Sequence, residues 1–67
     1  MCVAVPGKVM KIKDHTANVD VLGNTCEVNV RLVDAKLGDY VLIHAGCAIE
    51  VLEKSTAEEI LDLYQEL

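Results

Sequence analysis

The chain has 67 residues, 11 acidic against 6 basic side chains, a formal charge of −5, and 52% apolar residues without a single Trp or Phe. A domain of this size buries only about 60% of its unfolded surface, and a pocket of even about 300 Å3 would hollow out a core of Val, Ile and Leu. A buried active site is therefore disfavoured, as are nucleic-acid backbones and anionic membranes, which call for Lys/Arg neutralisation.

The first seven residues, Met1-Cys2-Val3-Ala4-Val5-Pro6-Gly7, place a thiol at a chain end. Termini fray unless tied down, and the apolar residues that follow suggest a strand that anchors this one. Pro6-Gly7 predicts a bend or bulge, because proline cannot donate to a ladder and glycine tolerates unusual backbone angles. No cationic segment followed by an apolar run opens the chain, and no stretch approaches the roughly 18 apolar residues of a membrane span. The expected location is cytoplasmic.

Residues 3–13 have a strand-like pattern, but Val9 and Ile12 cannot share a face under strict alternation, so a bulge at Pro6-Gly7 or beyond is expected. Asp14-His15 supplies a turn. Residues 16–22 alternate with Val19 and Val21 on one face; residues 25–32 alternate with Cys26, Val28, Val30 and Leu32 on one face. Gly23-Asn24 between the two runs predicts a β-hairpin.

Residues 33–39 read as a loop. The continuous apolar run 40–43 fits a strand buried on both faces. Gly46 then implies a bulge or close backbone approach that splits residues 44–52 from it or bends them sharply. In the last segment, Ser55 or Thr56 with Glu58 or Glu59 suggests a capping box. Ala57, Ile60, Leu61 and Tyr64, widened by Leu63 and Leu67, form a helical apolar stripe. Glu58, Glu59 and Asp62 are expected in early turns favoured by the helix dipole. The fold class is mainly β: a small, partly open barrel of about five strands of the OB type over residues 1–54. A C-terminal helix over residues 55–67 docks on the barrel or on a partner.

Cys2, Cys26 and Cys47 are odd in number and lack CxxC spacing, which is poor material for disulfides or a closed zinc site. Cys26 and Cys47 read as small packing residues. Cys2 is either an anchored inert thiol or a soft ligand. If Met1 is removed, its amine and thiol can close a five-membered chelate, and the ammonium raises the thiolate fraction. Thiolate suits ferrous iron, copper(I) or zinc. His44, at the end of an apolar strand, is either a hydrogen-bonded strand-end residue or a second ligand near Cys2. His15 reads as solvated. Aromatic platforms for single-stranded nucleic acid are lacking, since Tyr40 and Tyr64 are the only aromatic rings besides histidine.

Met1-Cys2-Val3-Ala4-Val5-Pro6-Gly7-Lys8-Val9, then Gly38-Asp39-Tyr40-Val41-Leu42-Ile43-His44-Ala45-Gly46 and Ala48-Ile49-Glu50, resemble the HypC/HupF/HybG family of hydrogenase maturation chaperones over nearly the whole chain. The resemblance implies a non-enzymatic scaffold in [NiFe]-hydrogenase assembly, without a permanent cofactor. It implies a complex with the iron–sulfur protein HypD, on which an Fe(CN)2CO group is built with cyanide from HypE and HypF. That group is then escorted to the large-subunit precursor; neither nucleic acid nor membrane is implied. The family's functional cysteine carries over to Cys2, exposed once Met1 is removed, and its histidine to His44. Together they are the implied iron ligands. Val3, Ala4, Pro6 and Gly7 carry over as motif and interface positions that shape the N-terminal strand.

Cys47 stands where many relatives carry an aromatic residue: a thiol there either alters partner choice, if the position lines the partner surface, or packs locally. The chain is short for the family, so features of a longer C-terminal tail are expected to be absent. Two other readings compete. One is a protein-interaction adaptor whose Cys2 touches the partner and no metal. The other is a small thiol-redox enzyme, which would need a resolving cysteine near Cys2.

Overall fold

The computed structural model describes residues 4–65, the side chain of residue 64 excepted. The elements are β1 (Val5–Lys13), β2 (Thr16–Val21), β3 (Asn24–Asn29), β4 (Tyr40–His44), β5 (Cys47–Leu52) and α1 (Lys54–Gln65). The strands form a closed barrel in the order β1-β2-β3-β5-β4, where the sequence suggested a partly open one. Every pairing is antiparallel except β3 with β5, which meet in parallel at Asn29 and Cys47 alone. The mainly β class, five strands and terminal helix agree with the sequence reading.

Closure depends on β1, which serves two neighbours. Its first part pairs with β4 from Val5↔Ile43 to Lys8↔Tyr40, and its second with β2 from Lys8↔Asp20 to Lys13↔Thr16. The β2 register slips between Val9 and Lys11, making Met10 the extra residue of a bulge. That insertion brings Val9 and Ile12 to the same, inner face, the conflict visible in the sequence. Val9 is fully buried, Ile12 packs against the core, and Met10 points out.

Pro6 and Gly7 do not bend the chain; both sit in regular pairing, with Leu42 and Val41. Gly7 faces inward, and a methyl group there would overlap Cγ1 of Val19 and crowd Val21 and Ile43. Its glycine is a matter of space, not of backbone angle. Pro6 points the other way and is still fully buried, because α1 packs across β1 and β4, the strands joined at that pair. Ahead of Lys8, β1 pairs with β4 only, so the missing N–H interrupts no second ladder.

Val9, Ala17, Val19, Val28, Val41, Ile43 and Ala48 form the core, and the described residues include no buried polar or charged side chain. Each fully buried valine contributes about 1.5–3 kcal/mol relative to an exposed one. The loop 30–39 adds Val33 and Ala35 to this core. It is fastened to β1 beside the bulge: the Gly38 N–H donates to the Val9 carbonyl at 2.9 Å and the Val9 N–H to the Asp39 carbonyl at 2.8 Å. The Lys36 N–H donates to Asp39 Oδ2 at 2.9 Å, closing the loop on itself.

The hairpin between β2 and β3 exists, but its turn is Leu22-Gly23 and not Gly23-Asn24. Both residues have positive φ, 51° and 90°, and Val21 pairs with Asn24. This is the type I′ pattern, whose twist matches that of its strands. The turn Ala45-Gly46, φ 54° and 78°, joins β4 and β5 in the same way. The strand expected over 25–32 stops at Asn29, whose Oδ1 accepts the Arg31 N–H at 2.9 Å and turns the chain. Leu32 is consequently 71% exposed.

Cys26, expected inside, is exposed. Its face is the inner one, but β5 meets β3 only at Asn29. The strand's early part thus runs on past the covering neighbour. β4 is buried on one face only, through Val41 and Ile43, with Tyr40, Leu42 and His44 half-buried.

The helix begins at Lys54, earlier than the expected cap, and the Ala57 N–H donates to the Glu53 carbonyl at 3.0 Å. Ser55 and Thr56 lie inside an exposed first turn that carries no acid, so neither the capping box nor the early acidic turn is formed as expected. Ala57 is buried and Ile60 and Leu61 half-buried, as the stripe requires; Leu63 is off it and exposed. Leu67 lies outside the described residues. No helix among them is long and apolar enough to cross a membrane.

Two outcomes follow from this packing. Gly7→Ala should destabilise the protein by about 1–3 kcal/mol, the usual range for overpacking a tight core. Urea denaturation measures it, and an unchanged midpoint would contradict the close approach to Val19. In native protein, a bulky maleimide should modify exposed Cys26 before half-buried Cys47. Mass mapping of a time course would show the reverse order if Cys26 were a core residue.

Candidate functional site

The motif segments of the sequence lie on adjacent strands. The β1–β4 register ends at Val5↔Ile43, so the chain enters β1 through Ala4 at the place where β4 ends in His44. Both residues are half-buried. Pro6 and Gly7 follow within β1, one supporting the helix side of the wall and the other the barrel interior. Of the expected site residues, Ala4, Pro6, Gly7 and His44 are brought together along two paired strands. Cys2 and Val3 lie outside the described residues.

After His44 the chain reverses through Ala45-Gly46 and returns as Cys47, directly across the ladder from His44. Cys47 also faces Asn29 in the parallel pairing, and the Gly46 carbonyl accepts the Asn29 N–H at 3.0 Å. The turn is therefore held from its flank by β3. Cys47 is half-buried with a free thiol. Reading it as packing or as a partner-surface position overlooked a signal present in the sequence: His-Ala-Gly-Cys is a two-residue turn flanked by two soft donors, and turn-flanking residues become a cross-strand pair.

His15 is exposed in the turn after β1, as expected, and contributes its carbonyl to the Val30 N–H at 2.8 Å. Cys26 belongs to the β2–β3 hairpin, opposite Val19, and so is not a neighbour of the His44 turn in any ladder. Among the described residues no group of three or more His, Cys, Asp or Glu side chains converges as a cation site.

Two surface crevices are lined by neither Ala4, His44 nor Cys47. One, about 430 Å3, lies between α1 and the rest of the molecule and is lined by Leu22, Tyr40, Glu58, Leu61, Asp62 and Gln65. The other, about 110 Å3, lies on the β1–β2–β3 surface beside Lys11, Lys13 and Glu27. The interior is apolar, with no buried polar side chain among the described residues, so their reactive groups lie at the surface.

Comparison with known proteins shows the family. The HupF/HypC family matches residues 1–64. A protein of Helicobacter hepaticus called hydrogenase maturation factor HypC is 39% identical, covering 100% of this chain and 81% of its own length. Its namesake in Escherichia coli is 34% identical, covering 100% of this chain and 82% of its own. A Proteus vulgaris protein named Frd operon uncharacterized protein C is 39% identical over 92% of this chain and 73% of its own length. With matches of this extent and identity, the chain belongs to the HupF/HypC family.

Proposed function

We propose that this protein is a non-catalytic chaperone of [NiFe]-hydrogenase maturation that binds HypD and carries the Fe(CN)2CO group to the large-subunit precursor. The observation that supports this most is the β1–β4 register, which sets the strand led by the N-terminal motif beside the strand that ends in His44. Cys2 precedes Ala4 by two residues, so the covalent chain holds its Cα within about 7 Å of the Ala4 Cα. A thiolate from Cys2 and a neutral imidazole from His44 would then approach one iron-bearing cargo from two sides. Thiolate and imidazole are both good donors to iron.

Few protein donors suit a carrier. A closed four-donor site holds a metal as part of the fold, whereas a cargo with most of its ligands elsewhere can leave by exchanging one or two bonds. The barrel supplies shape and fixes the two strands. The acidic surface favours a partner with a basic patch, and such complementarity chiefly speeds and steers association. Cytoplasmic action, the place where reduced thiols persist, completes the reading.

The second reading, an adaptor whose Cys2 contacts HypD without touching metal, is separated from the first by one residue. Cys2→Ala, isolated anaerobically with HypD, should keep the fold and the complex but lose iron and the infrared bands of cyanide and carbonyl. Undiminished bands would rule out Cys2 as a ligand. Loss of the complex itself in Cys2→Ser would favour the adaptor.

A further inference from the structure

We propose that Cys47 is a metal donor, forming with His44 a preorganised nitrogen–sulfur clamp for a thiophilic transition-metal ion. His44 and Cys47 are paired directly across the β4–β5 ladder. Such pairs share one face with Cβ atoms about 4.5–5.5 Å apart. Metal–sulfur and metal–nitrogen bonds of about 2.3 and 2.0–2.1 Å let one ion bridge donors separated by about 4 Å or less, a span side chains from paired Cβ atoms can meet.

The clamp is preorganised by its backbone. Ala45 and Gly46 both hold positive φ, 54° and 78°, the combination that makes a two-residue reversal and leaves no slack between the flanking residues. The Asn29 N–H binds the Gly46 carbonyl at 3.0 Å, tying the turn to β3. Both donors are half-buried, so an ion would be partly shielded from water and still able to exchange. The donor chemistry, one imidazole and one thiol with no carboxylate in the turn, selects soft and borderline ions over calcium or magnesium. Binding would displace the Cys47 proton to solvent, since thiolate is the ligand.

This inference deepens the proposed function, resting on it only for the nature of the cargo. On that reading the clamp would keep one protein–metal bond while the other is exchanged.

Anaerobic titration of the whole chain with cobalt(II) tests it, read by the thiolate-to-cobalt charge-transfer absorption and by circular dichroism to confirm folding. Cys47→Ser should lose much of that absorption and weaken binding by at least about tenfold, since even changes behind the direct ligands cost 10–100-fold. His44→Ala should weaken it comparably, and Cys26→Ser should leave it unchanged. Unaltered absorption and affinity in Cys47→Ser and in Cys47→Ala would overturn the clamp, as would no binding by the wild type or loss of the band in Cys26→Ser. Loss in Cys2→Ala with full retention in Cys47→Ser would overturn the clamp and leave Cys2 standing as a ligand. Loss in Cys47→Ser with full retention in Cys2→Ala would support the clamp and count against Cys2.

Discussion

The space left by one absent side chain lets this barrel close where it does. Gly7 runs so near Val19 that a Cβ on it would overlap the valine, and Val21 and Ile43 fill the remaining sides. β1 can therefore lie against β4 with its first residues and against β2 with its last, and the same strand completes the circle. The bulge at Met10 then returns Ile12 to the inner face, and the loop 30–39 is hydrogen-bonded to β1 next to that bulge. Removing the close approach would disturb the strand that carries both the closure and the N-terminal motif.

A core built from this geometry has consequences for chemistry. Its members are valines, an isoleucine and alanines, which fill a narrow barrel without Trp or Phe, and the described residues put no polar side chain inside. General acid–base catalysis needs titratable groups converging on a shielded point, and the interior does not provide them among the described residues. What the barrel can do is hold ends. β4 stops at His44 where β1 begins, and the chain returns after a two-residue turn at Cys47, so the rim carries side chains whose relative positions are set by ladder pairing. Rigid strands are better mounts for donor atoms than free loops, because their pairing restricts where the side chains can go.

Much of the architecture was legible in the sequence because alternation and turn chemistry are local. The runs around Val19 and Val28 and the stripe through Ala57, Ile60 and Leu61 follow from periods of two or of 3.6 residues. Gly46 marked a break, but it is half of a two-residue turn with open space around it, not the expected bulge or close approach. The misread positions depended on neighbours distant in sequence. Cys26 alternates like a core residue, yet whether its face is covered is decided by how far β5 runs beside β3, and that is one residue pair. Gly7 was legible as glycine beside proline, but the valine that requires it is on another strand. Gly23-Asn24 and the true turn Leu22-Gly23 differ by one position, since leucine at φ 51° is not a residue that announces a turn. Ser55 and Thr56 resemble caps, but the helix starts before them, at Lys54. For the site, His44 was legible as a motif residue at a strand end, whereas Cys47 needed the turn type before its partner could be named.

On the proposed reading, the placement at a rim also bears on delivery. A carrier must bind its cargo strongly enough to hold it and weakly enough to give it up, and each donor bond kept or broken moves that balance. An ion held deep in a barrel would have to cross packed valines to leave. One held between paired strand ends has solvent, and a receiving protein, on its open side. The cross-strand pairing of His44 and Cys47 would then fix two donors without enclosing the ion. Such a site would be strong through preorganisation and labile through exposure, so that transfer would proceed by replacing protein donors one at a time while the fold stays intact.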